Sequence, residues 1–240
     1  MLKNRYKKNH QTISESEQDF LSTKHIAIIG CGGLGQHTAS QLCRIGIGSL
    51  TLIDPDVFDE TNLNRQLFCH TGNIGVPKVF EAEQQLKLIN PDVKIKSFST
   101  RFAQENSHEV LAGSDIALDA LDSIKDRLIL QKACKELNIP LVSAAIGGWY
   151  GQFLIVMPGD DTLNIVYPEP DLKGVETELG NPAFIPALMA SIQVSETVKL
   201  LLGKSNLTEG EVLYIDLLNL VFERYSTTTN TYSKKNLDNI

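Results

Sequence analysis

The sequence predicts an α/β fold: a parallel sheet with helices on both faces, continued by antiparallel strands. Three observations carry that prediction. Short apolar strand patterns alternate with helical ones over residues 24–145. A glycine-rich turn joins the first of these strands to a helix. Beyond residue 146 most apolar runs are separated by turn residues, as between antiparallel neighbours. With 240 residues, 42% of them apolar, the chain is large enough for one full core.

The first strand pattern, Ile26-Ala27-Ile28-Ile29, runs into Gly30-Cys31-Gly32-Gly33-Leu34-Gly35, and a helical pattern follows over Thr38–Ile45. This Gly-x-Gly-x-x-Gly turn is Rossmann-like. Gly30 permits the tight turn, Gly32 lets backbone approach a phosphate, and Gly35 lets helix and strand pack closely. The helix start then offers unpaired N–H groups to an anion. The second strand, 49–53, ends in Asp54, 19 residues after Gly35, near the spacing of a ribose-binding carboxylate. Further parallel strands are predicted at 93–98, 115–119 and 140–144. Strands at 150–157, 162–166, 211–216 and 219–225 form the antiparallel set, with Gly151 and Pro158-Gly159-Asp160-Asp161 as turns. Residues 183–202 read as a helix on apolar spacing.

The glycine turn and Asp54 alone fit a nicotinamide or flavin enzyme equally well. The residues after Asp54 change the balance. Asn62-Leu63-Asn64-Arg65-Gln66 and Gly75-Val76-Pro77-Lys78 place two cations beside the turn, which suits a triphosphate better than a dinucleotide. A solvated basic loop is the bland alternative. Leu118-Asp119-x-x-Asp122 reads as a strand end bearing a carboxylate, on the side where α/β sheets bind ligands. A carboxylate beside phosphates is tolerable with Mg²⁺ between them. Asp122 would serve equally as the N-cap of the next helix, and Asp119 should lie deeper.

The ordered set of these motifs closely resembles the HesA/MoeB/ThiF family, bacterial relatives of ubiquitin-activating enzymes. Ile89-Asn90-Pro91, Arg127, Gly151-Gln152-Phe153, Tyr167-Pro168-Glu169-Pro170 and Glu196-x-x-Lys199 extend the match, as does an altered Arg5-Tyr6-x-x-Asn9 box, over roughly residues 5–225. The resemblance implies one adenylation domain over 1–225. Its nucleotide-binding half is about 24–145 and its carrier-binding half about 146–225. It implies ATP and Mg²⁺ as cofactors, and adenylation of the C-terminal carboxylate of a ubiquitin-like sulfur-carrier protein ending in Gly-Gly, with release of pyrophosphate. By position, Gly30, Gly32, Gly33 and Gly35 form the phosphate loop and Asp54 holds the ribose. Asn62, Asn64, Arg65 and Lys78 belong to the nucleotide set, and Asp122 holds Mg²⁺. Arg5, Arg65, Lys78 and Asp122 are the catalytic candidates. Arg5 would act as an arginine finger from the second subunit of a homodimer, although it also sits in a basic terminus. The carrier's tail would thread under 169–186, and Gly147–Gly151 would line its path or pack Trp149 in the core.

The chain departs from the family in its thiols. Cys31, Cys43, Cys69 and Cys134 show no Cys-x-x-Cys pair, so no zinc is expected. Residues 171–180, where some members carry a thioester cysteine, have none. Other readings stay open: adenylation of a peptide or of a modified-tRNA carboxylate, a non-catalytic nucleotide-binding subunit, and a nicotinamide dehydrogenase.

Charge and patterning narrow the remaining classes. A net charge of −7 disfavours a nucleic-acid partner. No apolar run approaches the ~20 residues of a membrane span, and no signal core opens the chain. Scattered cysteines suit the reducing cytoplasm. The polar residues 226–240 are expected to form a mobile tail.

Overall fold

The computed structural model describes residues 3–169, 176–207 and 210–227, and of residues 176 and 177 the backbone alone. The readings made on 170–175 and 228–240 lie outside the described residues. Eight strands form one sheet among the described residues: β1 (His25–Ile29), β2 (Ser49–Ile53), β3 (Lys94–Phe98), β4 (Ile116–Asp119), β5 (Leu141–Gly147), β6 (Tyr150–Val156), β7 (Glu211–Asp216) and β8 (Val221–Ser226). Their spatial order is β3-β2-β1-β4-β5-β6-β7-β8. The first five are parallel neighbours and the last three join antiparallel.

The parallel strands are apolar on both faces because both faces are covered. In β1, Ile26 and Ile28 join one buried cluster while Ala27 and Ile29 join the other. The first cluster is closed by α1 (Glu15–Leu21), α2 (Gly33–Ile45), α3 (Lys78–Ile89) and α8 (Phe184–Leu201). The second is closed by α4 (Gln104–Leu111), α5 (Ile124–Leu137) and α6 (Thr162–Val166). A further turn of helix, α7 (Glu176–Leu179), precedes α8. Fully burying an aliphatic side chain such as Ile26 contributes about 1.5–3 kcal/mol.

Local chemistry sets the helix ends. Ser14 and Glu17 form a capping box at α1. α2 stops at Gly46, and α5 at Asn138, both left-handed. α8 lies across β5 and β6, and it fits because β6 carries Gly151. A Cβ there would sit 2.3 Å from Met189 Sδ. Gly151 is therefore a strand residue and not the predicted turn.

Three further expectations are corrected. Residues 162–166 form α6 and not a strand: β6 already has β5 and β7 on its two edges, and Asp160 Oδ1 accepts from Thr162 N at 2.7 Å, which starts a helical turn. Trp149 is not core. It is exposed, with its ring 4.6 Å from that of Phe184. By length and composition α8 is apolar enough to cross a membrane, at a mean hydropathy of 1.2 over 18 residues, although no run near span length was expected. Half of it is buried inside this fold, as a core helix is.

Candidate functional site

The strand order changes direction between β1 and β4. β1 leads outward to β2 and β3, whereas β4 lies on its other side. Ligands of open α/β sheets bind at such a switch point, off the carboxyl ends of the strands. A crevice of about 820 Å³ opens there. It is lined by Gly30, Gly32, Gly33, Asp54, Asn62, Arg65, Gln66, Lys78, Arg101, Asp122 and Asn181, among others.

The glycines divide by their surroundings. Gly30 has φ +100°, and a Cβ on it would meet Ala120 O at 2.5 Å. A Cβ on Gly35 would lie 2.0 Å from Gly30 O. These two are required by the fold. At Gly32 a Cβ would meet only Gln66 Nε2, at 3.9 Å, and at Gly33 the nearest atoms are at 3.4 Å. The protein alone does not demand glycine there, and both positions border the crevice. Gly32 caps α2 without any side-chain hydrogen bond. The first-turn N–H groups of α2 therefore remain available to an anion.

Asp54 is buried. Its Oδ2 accepts from Cys31 N at 2.7 Å and its Oδ1 from Asp56 N at 2.9 Å. The carboxylate thus clasps the glycine turn while keeping lone pairs for a ligand. Burial raises its pKa, against the opposing pull of Lys78 and of these two N–H groups. Lys78 is 6% exposed and opens α3, with Nζ 2.8 Å from Asp56 Oδ2. A cation at a helix start opposes the dipole. Asp56 offsets part of that cost, and Lys78 also lines the crevice.

Arg65 donates Nη1 to Thr61 O at 3.1 Å and to Asn64 Oδ1 at 2.8 Å. Asn62 is buried, and its Oδ1 accepts from Asp59 N at 3.2 Å to cap the short turn before Arg65. Asn64 does not line the crevice. Its amide bridges Arg65 to Asn181 O, the latter at 3.0 Å. Gly35 also stays behind the crevice wall. Arg5 lies outside this chain's crevice, donating Nη1 to Asn90 Oδ1 and to Ile89 O.

Asp122 stands three residues past the end of β4, exposed at the crevice, with no hydrogen bond among the described residues. It is not the helix cap: Ser123 is, its Oγ accepting from Asp126 N at 3.3 Å. Asp122 is held in place by its neighbours. Asp119, fully buried, accepts from Arg127 Nη1 at 2.5 Å, from Ser143 Oγ at 2.6 Å and from Leu121 N at 3.0 Å. Arg127 also donates to Leu121 O and to Ala144 O. This buried ion pair fixes the turn that presents Asp122.

Several supporting residues carry no signal at short range. Gln36, buried on α2, donates Nε2 to Cys31 O at 2.7 Å and to Gln66 Oε1 at 3.2 Å, and accepts from Phe68 N at 2.8 Å. Gln193 of α8 donates to Asp119 O and Val142 O. Arg101 enters the crevice from beyond β3, paired with Asp126 at 2.6 Å. A polar glutamine on an otherwise apolar helix face is the one cue the sequence offers for Gln36 and Gln193.

The ThiF family model matches residues 6–236 of the chain. The chain belongs to the ThiF family. This ThiF-family chain is 32% identical to the SAMP-activating enzyme E1 of Haloferax volcanii over 216 residues, covering 89% of this chain and 80% of that protein. It is 31% identical to the sulfur carrier protein ThiS adenylyltransferase of Escherichia coli over 191 residues, covering 78% and 75%. Against the sulfur carrier protein adenylyltransferase of Thermus thermophilus the identity is 28% over 222 residues, covering 89% and 82%. Among solved structures, E. coli MccB with ATP superposes with a TM-score of 0.79 at 21% identity, covering 96% of this chain and 74% of that one. At that identity the likeness is one of fold.

Proposed function

We propose that this ThiF-family adenylyltransferase binds ATP·Mg across the glycine turn and activates the C-terminal carboxylate of a ubiquitin-like sulfur-carrier protein ending in Gly-Gly. A carboxylate oxygen attacks the α-phosphorus, the α–β bridging P–O bond breaks, and pyrophosphate leaves. The observation that carries this reading is Lys78, a cation sequestered at the positive end of α3 and facing the crevice shared by the glycine turn and Asp122.

The side chains suit the reaction. Negative charge builds on the phosphates as the bond breaks, so fixed donors and cations supply most of the stabilisation. The first-turn N–H groups of α2, Arg65 and Lys78 are such groups. Asp54 is suited to the ribose hydroxyls. Asp122 would hold the metal: one exposed carboxylate with phosphate oxygens completing the set is how Mg²⁺ is commonly bound. Bound Mg²⁺ neutralises part of the polyphosphate charge. Arg5 is assigned to the crevice of a second copy, in a homodimer.

The test is pyrophosphate–ATP exchange. It should require Mg²⁺ and a Gly-Gly carrier, and Asp122→Ala should lower it. Undiminished exchange in that variant excludes the metal role. Intact-mass detection of an AMP adduct on a short peptide in place of a carrier would move the substrate to peptides.

A further inference from the structure

Residues 180–183, between α7 and α8, form a strap along one wall of the crevice. It is tied at two points. Gly148 N donates to Gly180 O at 2.7 Å, and Asn64 Nδ2 donates to Asn181 O at 3.0 Å. Asn64 Oδ1 accepts from Arg65 Nη1 at 2.8 Å. One planar amide therefore joins a guanidinium in the crevice to the strap's backbone. Arg65 and Asn181 both line the crevice, and Asn64 does not.

Two features leave this tie open to change. An arginine Nη1 carries two hydrogens, and both are spent here, on Thr61 O and Asn64 Oδ1. A phosphate engaging that nitrogen must displace one of them. The strap is also held at a cost: Asn181 Oδ1 is buried with no hydrogen-bond partner among the described residues, which is destabilising. Beyond the strap, Phe184 opens α8 and packs its ring, tilted by 34°, against Trp149, the chain's single tryptophan, which follows Gly148.

We infer that Asn64 is a positioning residue: it couples phosphate contact at Arg65 to the placement of the strap and of the Trp149–Phe184 pair. This rests on the reading of the crevice as a triphosphate site. When phosphate takes Arg65 Nη1 in place of Asn64 Oδ1, the Asn64 amide is released, its bond to Asn181 loosens, and the strap shifts.

The experiment titrates wild type, Asn64→Ala and Asn64→Asp with ATP·Mg, by calorimetry and by Trp149 emission in parallel. Asn64 is exposed, so neither variant threatens the fold. In the wild type, emission should change and saturate with the calorimetric isotherm. Both variants lack the donor to Asn181, so their emission should already match that of the nucleotide-bound wild type and respond little. Affinity should separate them. Aspartate holds Arg65 by charge and should weaken binding about tenfold, whereas alanine frees Nη1 and should leave binding unchanged or tighter by up to about threefold. A merely structural Asn64 would not split the two variants in this way. Binding heat in the wild type without an emission change, or a full emission response in either variant, overturns the inference. No binding heat in the wild type removes the triphosphate reading and this inference with it.

Discussion

Lys78→Met separates a functional cation from a structural one. Methionine keeps the length and apolar body of the side chain while removing the charge. Lys78 opens α3, where a cation costs about 0.3–1 kcal/mol against the helix dipole. Its one ion pair among the described residues is with Asp56, whose side chain is 61% exposed. A pair with so exposed a partner contributes about 0–1 kcal/mol. The two effects offset, and stability should change by less than about 1 kcal/mol. Nucleotide binding should not escape. A hydrogen bond from a charged donor to phosphate is worth about 1.5–3 kcal/mol, or roughly 10–150-fold in Kd. Asp54 should also become harder to ionise, since Lys78 is the largest influence holding its pKa down. Calorimetric titration with ATP·Mg and urea unfolding of both proteins measure the two quantities. A variant that loses more than about 2 kcal/mol of stability and keeps its ATP affinity refutes this account of Lys78.

Other predictions address the frame around the site. Gly35→Ala puts a methyl 2.0 Å from Gly30 O and 2.9 Å from Gly30 C, both backbone atoms. It should cost several-fold in ATP affinity along with stability, by the same calorimetric and urea measurements. Gly32→Ala meets no close atom and should lose affinity with its melting temperature nearly unchanged. Arg127→Ala strands Asp119 in the core and should cost about 3–5 kcal/mol in urea unfolding. Burial pushes the Cys43 thiol up to about 11 and the Cys134 thiol up to about 12, and raises Cys31 further. Their folded pKa values lie above the unfolded ones, so the stability they contribute is full below about pH 8.5 and falls as pH climbs towards 11–12. With a thiol reagent at pH 8 the native protein should show at most one fast thiol, the half-exposed Cys69, and four on unfolding. Two or more fast thiols contradict this.

The parallel half of the fold was legible because its signals are local. The apolar run before Gly30 and Asp54 directly after β2 are each read from their immediate neighbours. The glycine turn announced a nucleotide-binding turn but not which nucleotide; Arg65 and Lys78 after it narrowed that choice. Residues 162–166 misled because a five-residue apolar pattern fits a strand or a helix equally, and only the occupied edges of β6 decide between them. Asp122 was placed on the correct side of the sheet but one role too many was allowed it, because the choice of Ser123 as cap depends on backbone geometry. The network beneath the site was not legible. Arg127 meets Asp119 through a turn, Gln193 reaches Asp119 O from 74 residues away, and Asn64 reaches Asn181 across 117. The two long-range partners are set by how α8 and the strap before it pack against α2 and the sheet, which no short window of sequence contains. Arg101 was missed for a related reason: a lone arginine after a strand looks like any surface cation until the crevice wall is assembled.

On the proposed function a triphosphate lies between the start of α2, Arg65, Lys78 and Asp122. A crystal structure of the protein with a non-hydrolysable ATP analogue and Mg²⁺ tests it most directly. Phosphate oxygens should lie within hydrogen-bonding distance of Arg65 and Lys78, with the metal on Asp122. A nucleotide bound elsewhere, or with its polyphosphate turned towards Arg101 and away from Lys78, would contradict it.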